Sequence, residues 1–318
     1  MTNVFFDDVH VVTGGAGFIG SRVVKGLNEQ GITNVVVVDD LTDGSKIHNL
    51  IDCVVFDYMD KIEFLHRIKI RDLPWKIRAF SHQGAYTDTT MTDGKVMMEN
   101  NYTYSKVLLD YAIHHRIPFV YASSASVYGI NNTEQIIGTE CPANVYAYSK
   151  YLFDVHAQSQ YKYAKSSIIG LRYFNVYGAH EGHKGTMKSA ISLFIDQLEC
   201  NNTIKLFKGS DDYKRDFVYV DDVVFMNTVC LSLLPTQGLY NVGSHKAMSF
   251  KEITSILLSK YKDSHIEYID FPERLIKQYQ KYTCGNHNTL SGDIEKTSLE
   301  KGVDILIKER KTRSNYVR

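Results

Sequence analysis

Proline is scarce in this chain, five in 318 residues, and no stretch is rich enough in it to mark a linker. An excess of either charge is also missing, since thirty-six Lys and Arg face thirty-six Asp and Glu. That balance removes the basic face on which nucleic acid or an anionic membrane would settle, so neither is expected as a partner. No apolar run approaches the length of a membrane span, and the N-terminus, interrupted by Asp7 and Asp8, lacks the basic flank and apolar core of a signal peptide. The five cysteines, Cys53, Cys141, Cys200, Cys230 and Cys284, are odd in number and scattered, with no Cys-x-x-Cys pair. They exclude a disulfide framework and leave reduced thiols in a cytoplasmic protein as the expectation. Internal repeats and low-complexity tracts are absent. The length allows one large or two unequal domains with a substantial core.

What is present organises itself around Val11-Val12-Thr13-Gly14-Gly15-Ala16-Gly17-Phe18-Ile19-Gly20. An apolar strand runs into glycines at Gly14, Gly17 and Gly20, and a helix is expected over Phe18 to Gln30. The first glycine permits the tight turn, the second lets a pyrophosphate approach bare backbone, and the third brings the helix close to the sheet. The free N–H groups of the helix N-terminus would face that pyrophosphate. Gly31 reads as a C-cap, and Val35 to Val38 as a strand buried on both faces. Asp39 ends that strand nineteen residues after Gly20, where a carboxylate can bond a ribose. A strand-turn-helix-strand unit closed by an acid predicts a dinucleotide site.

The alternation continues. A strand is expected near Cys53 to Phe56, with Asp57 after it at an adenine-contacting place, then helix and loop over Ile62 to Trp75. A strand over Ile77 to Ser81 leads into the small-residue turn His82-Gln83-Gly84-Ala85, and a long helix is expected over Met97 to His115. The strand Pro118 to Ala122 delivers Ser123, Ser124 and Ser126 to the same edge, where ligands of doubly wound sheets lie. A helix opening at Asn144 to Lys150 and a strand over Ser167 to Arg172 complete a parallel sheet covered on both faces. Beyond Gly178 to Gly185 the rhythm loosens into a helix over Lys188 to Leu198 and a short strand near Ile204 to Phe207, where a second, substrate-facing region is expected.

Chemistry concentrates at Tyr146 and Lys150. Four residues apart on one helix face, an ammonium can neighbour a phenol and lower its pKa by roughly 1–3 units. A tyrosinate there can take a proton from a substrate hydroxyl while hydride leaves the same carbon. Tyr102–Lys106 and Tyr161–Lys165 share the spacing, so spacing alone does not select. Only Tyr146 lies twenty-two residues after Ser124, at a buried strand's carboxyl end, where a serine can bond the same substrate oxygen. The run His180-Glu181-Gly182-His183 lacks the helical four-residue spacing of zinc proteases, and no metal is expected.

Thr13 to Gly20, Asp39, Ser124, Tyr146 and Lys150 together resemble the extended short-chain dehydrogenase/reductases, the group that contains the nucleotide-sugar epimerases. Further stretches narrow the likeness, as far as about Phe250, to the ADP-L-glycero-D-manno-heptose 6-epimerases. They include Asp57-Tyr58-Met59-Asp60-Lys61, Arg172 to Gly178, Lys214 to Val220 and, most discriminating, Glu181-Gly182-His183-Lys184-Gly185. The resemblance implies an α/β fold, a Rossmann-type doubly wound parallel sheet with a smaller, mostly C-terminal α/β substrate domain. The large domain would hold residues 1–174 plus about 216–244, and the small one about 175–215 plus 245–318.

The resemblance also implies an isomerase that inverts C6 of a nucleotide-linked heptose through a transient ketone. Tyr146 and Lys184 would be two acid/base groups, supported by Lys150 and Ser124. The glycine turn (Gly14, Gly17, Gly20) is joined at cofactor positions by Phe18, Ile19, Asp39, Asp40, Lys46, Lys61, Gln83, Gly84, Ala85, Tyr86, Thr87, Asn100, Lys150, Val176 and Lys184. Ser124, Asn175, Thr186, Phe207, Gly209, Ser210, Arg215 and Tyr279 fall at substrate positions, Arg215 as a fork for diphosphate oxygens. NADP is the implied cofactor, although Asp39 by itself favours NAD, and a homo-oligomer is implied. Departures stand at Gln83 for glutamate, Leu193 for histidine, Ala179 for proline and Gly243-Ser244-His245 for a glycine-threonine-glycine turn. Another sugar-nucleotide 4-epimerase or reductase is the nearest alternative. A dehydratase is disfavoured, because Ser123 to Tyr128 lacks an Asp-Glu pair, and a non-catalytic dinucleotide sensor would have no need of Tyr146 and Lys184.

Overall fold

The computed structural model describes residues 8–130, 133–233, 235–272, 280–286 and 296–314. Its elements run β1 (Val9–Thr13), α1 (Phe18–Glu29), β2 (Val35–Asp39), β3 (Asp57–Asp60), α2 (Lys61–Ile70), β4 (Ile77–His82), α3 (Gly94–Met98), α4 (Tyr104–His115), β5 (Phe119–Ser124) and α5 (Val145–Gln160). They continue with β6 (Ile168–Tyr173), β7 (Asn175–Tyr177), α6 (Ala190–Asn201), β8 (Thr203–Phe207), β9 (Lys214–Tyr219), α7 (Val220–Ser232), β10 (Gln237–Val242), β11 (Ala247–Ser249), α8 (Phe250–Lys260) and β12 (His265–Ile269). A helix over Leu299–Ser314 follows.

Seven parallel strands form the main sheet in the order β3-β2-β1-β4-β5-β6-β10. The order reverses between β1 and β4, and a crevice opens outside the carboxyl ends of strands at such a reversal. Burial explains the apolar strands: Val35 to Val38 are all fully enclosed, so β2 carries no polar face. Among the described residues, two smaller sheets, β11-β9-β7 and parallel β12-β8, pack with α6 and α8 beyond the main sheet. The boundary expected near residue 216 therefore falls inside β9, a strand of the small sheet.

Three expectations shift. The strand placed at Cys53 to Phe56 begins instead at Asp57, because Val54 and Phe56 are exposed and β3, among the described residues, is an edge strand paired only with β2. Asp57 consequently lies opposite Val36, far from the ligand edge, and its carboxylate accepts from the Trp75 indole at 3.1 Å rather than waiting for adenine. The helix and loop expected over Ile62 to Trp75 are found, the helix ending at Ile70 with Arg71 left-handed behind it. The long helix of Met97 to His115 starts earlier, at Gly94, capped by Asp93, and is interrupted by a π-helical turn at Glu99–Thr103. Such turns re-aim side chains and concentrate at functional sites.

Candidate active site

A cavity of about 780 Å³ opens at the carboxyl ends of the central strands, and apart from Asp57 every cofactor and catalytic position named from the sequence borders it. The glycine turn forms its floor. Gly14 is left-handed (φ +64°), and a Cβ there would stand 2.6 Å from the backbone of Gly84. A Cβ on Gly20 would lie 2.0 Å from the Gly14 carbonyl oxygen, so only glycine lets α1 start so close to the turn. Gly17 caps α1 without any side chain accepting from the helix N–H groups, and no acid stands in the first turn. Bare backbone, free N–H groups and a positive helix end fit the pyrophosphate of a dinucleotide.

Asp39 closes one end of the cavity. Its Oδ2 accepts from the Ala16 N–H at 2.8 Å, and its Oδ1 accepts from the Asp40 N–H at 2.7 Å and from Lys46 Nζ at 3.0 Å. Beside it Lys61 Nζ pairs with Asp40 at 3.1 Å and approaches Asn100 Oδ1 at 3.4 Å. Bonds from Thr42, with Lys61 behind them, hold the Asp40 carboxyl well below the usual range. Two acids and two lysines thus share one corner of the cavity.

Another stretch of the wall is built on α5. Asn144 caps the helix by accepting from the Ala147 N–H at 2.8 Å, which sets Tyr146 in the first turn and Lys150 one turn later. Burial pushes the Tyr146 phenol up, and the Ser124 hydroxyl bonded to it draws it back. Lys150 Nζ donates to the Ala122 carbonyl at 2.8 Å. In the free protein the ammonium is engaged by the strand and, against expectation, does not by itself bring the phenol down. Burial lowers Lys150 to about 8, against the pull of Asp154.

That value sets a pH dependence. Below about 8 Lys150 is charged and above it neutral, so kcat/KM, which reports the free enzyme, should fall as pH rises through about 8. A flat profile to pH 9.5 would contradict an essential ammonium. The sign for stability is opposite: an unfolded lysine binds its proton up to about 10.4, so between the two values rising pH relieves the cost of burying the charge.

The two competing pairs serve packing. Lys106 sits 5.1 Å over the Tyr102 ring, which meets His156 edge-on, and Tyr161 packs against the core beneath the main sheet; neither tyrosine borders the cavity.

Lys184 reaches the cavity from the turn Gly182–Met187. Its Nζ lies 3.6 Å from Glu181 Oε2 and 5.3 Å above the Phe18 ring. Glu181 is buried and also accepts from the Ser189 and Ser192 hydroxyls, which anchors the loop to the start of α6. His180 and His183, the tempting metal pair, have separate partners: Ser21 Oγ at 2.7 Å and Asn49 at 3.1 Å.

Of the expected substrate positions, Ser124 borders this cavity. Asn175, Thr186, Phe207, Gly209, Ser210 and Arg215 lie off the cavity wall, and Tyr279 is outside the described residues. Arg215 is buried, and its guanidinium donates to the carbonyls of Lys214 (3.0 Å) and Gln280, so in this state it forks onto backbone rather than offering itself to a diphosphate. Ser210 Oγ donates to the Phe207 carbonyl at 2.8 Å, and the Asn175 amide donates to the Asp216 carbonyl at 3.0 Å. Gln83, standing for a glutamate, suits its surroundings. Its Nε2 donates to Asn227 Oδ1 at 2.8 Å and Ser81 Oγ at 3.0 Å, and its Oε1 accepts from the Tyr173 hydroxyl at 2.9 Å. His245, in place of a glycine, holds φ +59°, with its ring nitrogen 3.1 Å from the Gly285 carbonyl.

Sequence reasoning missed Tyr173, Phe174, His183 and Tyr104 in the wall. The first two stand at the carboxyl end of β6, and the strand-end rule that found Ser124 would have found them. Tyr104 sits in a helical pattern that reads as packing.

With that geometry in place, comparison with known proteins is decisive for the family. The profile of the NAD dependent epimerase/dehydratase family matches residues 10–243. The chain belongs to this family. The structure of Helicobacter pylori ADP-L-glycero-D-manno-heptose-6-epimerase is similar at TM-score 0.84 and 30% identity, covering 97% of this chain and 99% of that one. UDP-glucose 4-epimerase from Thermotoga maritima, solved with UDP-glucose, matches at TM-score 0.82 and 26% identity over 96% of this chain and 99% of that one. A Methanobrevibacter ruminantium UDP-N-acetylglucosamine 4-epimerase shares the fold at TM-score 0.83 and 22% identity, over 96% of this chain and 99% of that one. The protein is thus a member of a nucleotide-sugar epimerase/dehydratase family with a Rossmann-like sheet. No helix among the described residues is long and apolar enough to cross a membrane.

Proposed function

We propose that the protein is a nucleotide-sugar epimerase acting at C6 of the heptose in ADP-glycero-manno-heptose. The observation that carries this reading is that Ser124, Tyr146, Lys150 and Lys184 border one cavity with the uncapped glycine turn and Asp39. A nicotinamide dinucleotide, when bound, supplies hydride acceptance from the substrate carbon and hydride return to it. The chain supplies everything else. With the cationic nicotinamide ring seated and the Lys150 ammonium one turn away, the Tyr146 phenol would release its proton to solvent; the tyrosinate Oη then takes the proton of the substrate hydroxyl and becomes a phenol again, while Ser124 Oγ holds that oxygen. Once the carbonyl has turned its other face, its oxygen lies away from Tyr146, and Lys184 Nζ delivers the proton there. Two acid/base groups on separate segments are what inversion needs and what a simple reductase or a sensor does not. Incubation with ADP-D-glycero-heptose and, separately, UDP-galactose should isomerise only the first; turnover of UDP-galactose alone would transfer the protein to the 4-epimerases.

NADP is the cofactor form we infer, because Lys46 and Lys61 bring two ammonium groups to the adenosine corner. The Asp39 carboxylate favours NAD, and the balance between them is measurable. Lys46→Ala should weaken NADP binding about tenfold while altering NAD binding little, since a charge-assisted bond is worth roughly 1.5–3 kcal/mol. Equal effects on the two would remove Lys46 from 2′-phosphate recognition. A cytoplasmic homo-oligomer completes the proposal, supported by five free thiols and by the family resemblance.

A further inference from the structure

Tyr104 opens α4 directly after the π-helical turn, and its side chain is 9% exposed. One face of its ring stacks on His82 at 6.1 Å and 23°, and the rest packs into the core with Met59 and Leu108. The hydroxyl is the exception to this apolar setting. It is buried and, among the described residues, has no hydrogen-bond partner. A buried phenol without a partner costs stability, so native structures rarely keep one without a use. Tyr104 also borders the main cavity, in the field of Asp39 and Asp60, one turn after Asn100. These neighbours place it at the adenosine end rather than the reacting end. Burial pushes the phenol up, with Asp60 and Asp39 adding to the effect, so the hydroxyl keeps its proton and stays a donor.

We propose that Tyr104 is a binding residue for the adenosine half of the dinucleotide, its hydroxyl finding its partner only when that half is seated. The proposal rests on the dinucleotide reading of the cavity and adds to it a contact that neither the glycine turn nor Asp39 supplies. It predicts opposite signs for two measurements on one variant. In Tyr104→Phe, freed of copurified nucleotide, ADP-ribose should bind about three- to tenfold more weakly, the value of one hydrogen bond. Nicotinamide mononucleotide should bind as in the parent. The Tm of the ligand-free variant should equal or exceed the parent's, because an unsatisfied group has been removed. Unchanged ADP-ribose affinity in a variant whose parent binds it would overturn the proposal and leave the dinucleotide reading intact. A ligand-free Tm several degrees lower would also overturn it, by showing that the hydroxyl serves the fold. Failure of the parent itself to bind ADP-ribose would defeat both.

Discussion

Tyr146→Phe should reduce epimerisation by about 10²–10⁴-fold, the usual contribution of a positioned acid/base group. The substitution deletes one oxygen whose partner is Ser124, so the cap at Asn144 and the packing of α5 stay intact and cofactor affinity should change little. Tyr102→Phe is the matched control. It has the same spacing to a lysine, yet its ring only supports Lys106 and His156, and turnover should remain near that of the parent. Steady-state rates of the two variants at one pH decide the matter, and the reverse ranking would remove α5 from the chemistry.

Lys184→Met carries the second large effect. Methionine keeps the length of the stem over Phe18 but loses the ammonium beside Glu181. Epimerisation should fall by about 10²-fold or more, with cofactor binding preserved within a factor of about two. The split separates two roles for this side chain. If Lys184 only countered phosphate charge, binding would weaken and the bound enzyme would turn over normally. Fluorescence titration of the cofactor beside turnover measures both, and unchanged turnover would cancel its place as the second proton donor.

The parts of this molecule legible in the sequence are those where backbone geometry restricts the residue type. A left-handed turn pressed against Gly84 accepts only Gly14, a strand closed on both faces reads Val35 to Val38, and the strand ends that carry Asp39 and Ser124 follow from the parallel sheet. Helix periodicity found α4 but could not reveal the π-helical turn before it, because the apolar residues that set the period, Val107, Leu108, Tyr111 and Ala112, all lie beyond that turn. Hydrophobicity misplaced β3, since Val54 and Phe56 are apolar residues left at the surface, whereas the strand itself is polar at a sheet edge. The spacing of Tyr146 and Lys150 predicted their shared face. It could not predict that the Ala122 carbonyl would take the ammonium, a contact between residues 28 apart in the chain. Arg215 is a related case: the carbonyl of Gln280, which its guanidinium reaches, is brought to it by folding alone.

The central claim is that one carbon of the sugar is oxidised and reduced again within one closed site. ADP-D-glycero-heptose carrying deuterium at C6, turned over in ordinary water, tests it most directly. The account predicts an inverted product that retains its deuterium at C6, because the hydride that leaves is the one that returns. Product with hydrogen at C6, or incorporation of solvent deuterium there in the converse experiment, would show inversion by proton exchange and contradict the mechanism built on Tyr146 and Lys184.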